Sequence, residues 1–305
     1  TKAKRVLPVL AAFAGVVTPA IVYYFAAGYM PEFKHGWGIP TATDIAFAIG
    51  VITMLGNMVS SAMKAFLAAL AVIDDLIAIV VIALFYGAGV NFMDLIAAAG
   101  VTGLLVYTNK QGYLRPLPYC VLGLVLWYLV LKSGVHATIA GVVLAMTIPF
   151  KGKVLDKVVY PMEEWAHALK NWVNFFIIPL FSFLNAGVSF ADFSMENLFH
   201  PVIIGVSLGL ILGKQLGIFS AVYILVQSKA IKMPTNTTWP EIYGTAILCG
   251  IGFTMSLFVA TLAFPPGITQ EMAKVGIFIG SIVAGLLGSV VLILAYQIRK
   301  MRGKI

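Results

Sequence analysis

The chain has 305 residues, of which 61% are hydrophobic and only 10% charged, against about 25% charged in soluble domains. No soluble class accommodates this balance, and the apolar runs are continuous rather than alternating, which excludes a β-barrel in favour of an all-α polytopic membrane protein. The net charge of +8 does not point to nucleic acid, because the basic residues fall in short loops beside apolar runs, where membrane topology places them.

Thr1-Lys-Ala-Lys-Arg5 is basic, but the apolar stretch after it runs to Ala27, too long for a signal peptide. The chain opens on Thr rather than Met, from which we expect a longer translation product. Hydropathy predicts about ten spans, at 6–27, 39–56, 64–86, 91–108, 117–131, 133–150, 172–190, 202–227, 244–264 and 275–297. Three stretches follow from this division: 1–90 with three spans, 91–200 with four as scaffold or interface, and 201–305 with three. Cys120 and Cys249 both lie inside apolar runs and imply no disulfide framework.

The second span is unusual. Gly36-Trp-Gly-Ile-Pro40-Thr-Ala-Thr43-Asp44 places glycine, proline, two threonines and an acid in the first half of a short apolar segment. Its counterpart in the ninth span is Cys249-Gly-Ile-Gly252-Phe-Thr254-Met-Ser256. Both read as helices interrupted near the midplane, where broken backbone is tolerated only if it lines a cavity or is buried in protein. Each interruption lies in the middle span of a triplet, spans 1–3 and spans 8–10, and the triplets start on opposite sides of the membrane. That pairing predicts inverted-topology repeats with the binding site at their interface.

The third span carries Asp74 and Asp75 with no other charge inside it. A carboxylate at the midplane costs about 2.5–3.5 kcal/mol on insertion scales, so two in succession read as a site for a cation or for protons. Two like charges held close in a poorly hydrated place also resist being ionised together. Adjacent helical residues point about 100° apart, so one carboxylate is expected in a cavity and the other near Lys214 or the crossing of the broken helices. Lys214 lies midway along the eighth span, too deep to snorkel, and is either half of a static ion pair or a partner that releases a carboxylate when an ion binds. Gly205, Gly209, Gly213 and Gly217 form a smooth face around it for close packing.

Weaker signals are His136 after a tight turn, read as a structural group, and the cluster Glu163, Glu164, His167 and Lys170 before the seventh span. That cluster is either a solvated loop end or a candidate for pH sensing. Asn236-Thr-Thr238 matches a glycosylation pattern but falls on the cytoplasmic side.

Sidedness follows from the basic residues. Lys2, Lys4, Arg5, Lys64, Lys110, Arg115, Lys151, Lys153, Lys157, Lys170, Lys229, Lys232, Arg299, Lys300, Arg302 and Lys304 share one face, 16 of the 20 basic residues. Lys34, Lys132 and Lys274 lie opposite, beside acids that include Asp192. The positive-inside rule makes the first face, and both ends of the chain, cytoplasmic.

These motifs together, Ala-Thr43-Asp44-Ile-Ala-Phe, Ile-Asp74-Asp75-Leu, Lys132-Ser-Gly-Val-His136-Ala-Thr, Pro179-Leu-Phe, Asn185-Ala-Gly-Val, Gly213-Lys214-Gln-Leu-Gly and Leu-Cys-Gly-Ile-Gly-Phe-Thr-Met, resemble the NhaA sodium/proton antiporters of bacteria from the first span to the tenth. The resemblance implies that Asp74 and Asp75 bind Na⁺ (or Li⁺) and exchange protons, that Lys214 is associated with them, and that Thr43 and Asp44 lie at the broken-helix crossing. It implies a bacterial inner membrane, cargo ions rather than a resident cofactor, and a scaffold that forms homodimers in the family. This chain begins where the family's third span begins, so two helices and the hairpin tied to dimer contact are missing. Ala166 stands where an acid commonly precedes the family's pH-responsive His, which weakens the carry-over of pH sensing to Glu163, Glu164 and His167. Two competing readings are ion-driven symport of an organic solute on the same scaffold, and an intramembrane aspartyl protease using Asp44 and Asp75. For the protease, Asp74 and Lys214 would disturb a shared proton.

Overall fold

A computed structural model describes residues 2–87, 89–154, 157–188, 195–234 and 237–301; Asp192, Asn236, Arg302 and Lys304 lie outside them. The chain is a multi-pass helical membrane protein. Among the described residues, six helices are long and apolar enough to cross a membrane, seven if one bent pair is a single span. The residues group into two compact units, Thr1–Ala78 with Phe181–Ile305, and Ile79–Leu180.

The first unit holds the two triplets. One is α1 (Lys2–Tyr23), then a 3₁₀ segment Lys34–Thr41 followed by α2 (Ile45–Met54), then the start of α3 (Ser61–Phe85). The other is α9 (Pro201–Leu208) running through a wide π turn into α10 (Lys214–Gln227), then α11 (Trp239–Leu248) and α12 (Phe253–Ala263), then α13 (Ile268–Met301). Each triplet therefore has a broken middle member, and α11 and α12 meet at 44°. The breaks fall where proline removes a backbone donor and glycine loosens the helix: Ala42 is extended after Pro40, and Gly252 precedes α12. A core of Leu7, Ala11, Ile52, Leu67, Leu70, Ile218, Val222 and Leu248 joins α1, α2, α3, α10 and α11.

The glycine face of the eighth span lies against α1. A Cβ on Gly213 would stand 2.6 Å from the Cα of Pro19, and one on Gly217 would stand 2.4 Å from the carbonyl oxygen of Ala14. Glycine there lets the two backbones approach to a distance no other residue permits.

The second unit holds the rest of α3, α4 (Phe92–Lys110), α5 (Pro116–Lys132), α6 (Thr138–Thr147), the hairpin β1–β2 (Gly152–Val154, Lys157–Val159) and α7 (Pro161–Trp172). A π turn, Val173–Ile177, joins α7 to α8 (Ile178–Asn185), which crosses the division between the units. Its core is Ala98, Leu105, Tyr119, Leu126, Val130 and Ala140.

Several expected boundaries shift. The segment expected at 133–150 is helical for ten residues only, because Gly134 turns at φ +80° and delays the helix to Thr138. The helix expected from 172 starts at Pro161, so Glu163, Glu164 and His167 sit on a helix and not at a loop end. The last helix extends from Ile268 to Met301, since Glu271 in its first turn and Arg299 and Lys300 in its last suit the helix dipole and do not end it. The hairpin β1–β2 was not expected at all.

Candidate functional site

Helix α3 buries the stripe Leu67, Ala71, Asp74 and Ala78, one residue per turn, while Val72 and Leu76 on its other side are exposed. Asp74 thus points into the protein because it lies in register with the apolar stripe. Its Oδ2 lies 2.7 Å from Lys214 Nζ, with both side chains fully buried. Lys214 is the first residue after the π turn Gly209–Gly213, an extra-wide turn of the kind that re-aims side chains at functional sites. Asp75, one residue on, is half-buried and makes no ion pair with Lys214. Asp74 Oδ1 and Asp75 Oδ1 are both buried and accept no hydrogen bond. Two carboxylate oxygens without donors are an expensive arrangement in a dry interior, and oxygens of that kind are ligands for a hard cation or seats for protons.

The broken helices cross beside each other through hydrogen bonds to backbone carbonyls. Thr43 Oγ1 donates to the carbonyl of Cys249 at 2.8 Å, the amide of Asp44 donates to the carbonyl of Ile251 at 2.6 Å, and Ser256 Oγ donates to the carbonyl of Ile39 at 2.8 Å. These bonds satisfy carbonyls that the interruptions set free.

Asp44 does more than mark the crossing. Its Oδ1 accepts the amide of Phe47 at 3.1 Å, capping α2, and its Oδ2 accepts the amide of Thr254 at 2.9 Å in the first turn of α12, with the Thr254 hydroxyl as a further donor. One carboxylate therefore neutralises two helix N-termini. Ser281 on α13 completes the cap, with its Oγ accepting from Gly252 and Phe253 at 3.2 and 3.1 Å. An apolar groove of about 640 Å³ opens beside the crossing, lined by Phe47, Val51, Phe253, Phe278 and Ser281 among others.

The structure brings together Asp74 with Lys214, and Thr43 and Asp44 with the second broken helix. Glu163, Glu164 and His167 are exposed on α7 in the other unit. His136 binds Thr138 Oγ1 through Nδ1 at 2.9 Å, and burial lowers its pKa. One buried acid escaped the sequence reading: Glu241, 3% exposed on α11. An expected span edge at 244 left it outside the membrane segment; only its place one turn before the apolar run could have signalled it. Ser281 was missed as well, hidden among the small residues of a long apolar helix.

The family described as Na⁺/H⁺ antiporter 1 matches residues 1–292. The chain belongs to that family. It is 47% identical over 294 residues to the Na⁺/H⁺ antiporter NhaA of Caulobacter vibrioides, an alignment covering 96% of this chain and 71% of the relative. The NhaA of Nitrobacter hamburgensis is 46% identical over 293 residues, covering 96% and 72%, and that of Mesorhizobium japonicum 47% over 298 residues, covering 96% and 74%.

Proposed function

We infer that the protein is a secondary active transporter exchanging Na⁺ (or Li⁺) for protons across the bacterial inner membrane, with both ends of this chain on the cytoplasmic side. The observation that carries this reading is the pair of buried, donor-free oxygens on Asp74 and Asp75 beside a fully buried Lys214, in a chain of this family. In the ion-free form Lys214 compensates Asp74, and Asp75 holds a proton. An arriving Na⁺ needs oxygen ligands, which Asp75 and Asp74 supply once the Asp75 proton leaves and Lys214 gives up its own proton and withdraws. Facing the other side, the site releases Na⁺ and takes protons back. The two states exclude each other because the same carboxylate oxygens serve both, and that competition is what couples the fluxes. Na⁺, Li⁺ and H⁺ are cargo, and the reading calls for no resident cofactor; a homodimer is compatible with it.

The test is Na⁺-driven proton movement in everted membrane vesicles, reported by a pH-sensitive dye. NaCl or LiCl is expected to collapse a preformed pH gradient, with KCl inert. No response to either salt, or a response requiring an added organic solute, would overturn antiport and favour symport.

A further inference from the structure

The mechanism above leaves one buried carboxylate without a task. Glu241 lies in the first turn of α11, and its Oε1 accepts the backbone amide of Ser60 at 2.7 Å. Ser60 is the residue on which α3 begins: its Oγ accepts the amide of Met63 at 3.3 Å, and its carbonyl accepts from Met63 and Lys64 at 3.0 and 3.1 Å. The Glu241 carboxylate therefore sits between two helix N-termini, those of α3 and α11, whose positive ends both favour it. Lys64, whose Nζ is engaged by the carbonyl of Gly56 at 2.6 Å, and Arg299 of α13 line the same small cleft as Ser60.

Both helices run from this bond to the ion site, α3 passing through it and α11 ending at the crossing. Asp74 is fourteen residues beyond Ser60 on α3, about 21 Å of helix. Cys249, whose carbonyl receives Thr43 at the crossing, is eight residues beyond Glu241 along α11, about 12 Å. A bond pinning the near ends of the two rods fixes the height and rotation at which α3 presents Asp74 and Asp75 to the broken helices. We propose that Glu241 is a positioning residue for ion exchange: its carboxylate clips the start of α3 to α11, and so holds the aspartate pair in the geometry that binds the cation.

The inference rests on the antiport reading, so the parent protein is first shown to exchange Na⁺ for protons in proteoliposomes; failure there defeats antiport rather than the clip. Glu241→Ala is then expected to raise the KM for Na⁺ about tenfold with kcat little changed, the scale of one charge-assisted hydrogen bond, and to speed amide exchange in residues 61–66. Glu241→Gln, which keeps the length and the accepting oxygen, is expected to stay within about threefold of the parent in KM and to protect the same amides. If Glu241→Ala does not fold, Glu241→Asp, too short to reach Ser60, replaces it, and raised KM with faster exchange at α3 is again expected. The clip is overturned if the shortened variants keep the parent KM, or if Glu241→Gln loses affinity as far as they do, since a lost charge and not a lost anchor would then be responsible.

Discussion

At the residue scale, the two aspartates are unlike in a way that separates their mutants. Each has one donor-free oxygen, but Asp74 is fully buried and paired with Lys214, whereas Asp75 is half-buried and has no lysine. Asp74→Asn leaves the Lys214 ammonium buried without its charge partner, a change expected to cost about 3 kcal/mol or more along with transport. Asp75→Asn removes a cation ligand and a proton seat but breaks no ion pair, so it is expected to abolish exchange while leaving the melting temperature near that of the parent. Thermal unfolding in detergent, measured beside vesicle transport, checks both; equal melting losses would mean the asymmetry is not energetic. Lys214→Ala should resemble Asp74→Asn in stability. His200 gives a separate, pH-based expectation. Its Nδ1 accepts the amide of Val202 at 3.3 Å at the start of α9, and burial lowers its pKa from the ordinary 6.5, with Glu32 opposing. The unfolded chain takes up this proton before the folded one does. The contribution is therefore whole above the ordinary value and is lost as pH falls through the lowered one. Replacing His200 with Asn, a cap that does not titrate, should flatten the fall in melting temperature between about pH 7 and pH 5.

At the element scale, the broken helices are held by bonds to backbone carbonyls, and the eighth span is held by glycine. Gly213→Ala would force a Cβ into the backbone of Pro19 and displace the residue that follows, Lys214. Overpacking of this kind costs about 1–3 kcal/mol, and here it should also weaken Na⁺ binding through the Asp74 pair. A Gly213→Ala variant with parental melting temperature and KM would show that α1 yields freely. This scale also shows what the sequence could and could not disclose. Both interruptions were legible, because Pro40 lacks an amide donor and Gly36, Gly250 and Gly252 loosen the helix locally. The ion pair was legible as a need, since Lys214 at that depth had to find an acid, but the choice of Asp74 over Asp75 depends on which one shares a stripe with Leu67 and Ala71. The double cap made by Asp44 was not legible: Thr254 is 210 residues away, and nothing local marks it. Glu241 was hidden by a boundary drawn five residues inside the helix start at Trp239, since hydropathy reports where lipid-like sequence begins and not where a helix does.

At the scale of the whole molecule, two acids and one cation at the site suggest that two protons move against one Na⁺, so each cycle carries one net charge. That charge couples to the membrane potential by about 2.3 kcal/mol per 100 mV. A negative interior would then draw protons in and sustain Na⁺ extrusion without a pH gradient. Proteoliposomes with the voltage set by potassium and valinomycin are expected to exchange faster, and to reach a larger Na⁺ gradient, as the driving potential grows. Indifference to voltage would mean one-for-one exchange, with one of the aspartates structural.

The crossing holds a probe of its own. Cys249 is completely buried and Cys120 on α5 is exposed. At the crossing, what Cys249 offers Thr43 is its carbonyl, and its thiol reaches no further than the carbonyl of Thr245 at 3.3 Å. Its sulfur is thus a bystander in the architecture, seated where the interrupted backbone meets. With Cys120 replaced by Ser, these 305 residues carry a single thiol, whose alkylation rate by a small permeant maleimide reads how often water and reagent reach that spot. A static crossing would leave the rate flat, whereas one that opens and closes with each turnover would make labelling rise and fall with Na⁺ and pH.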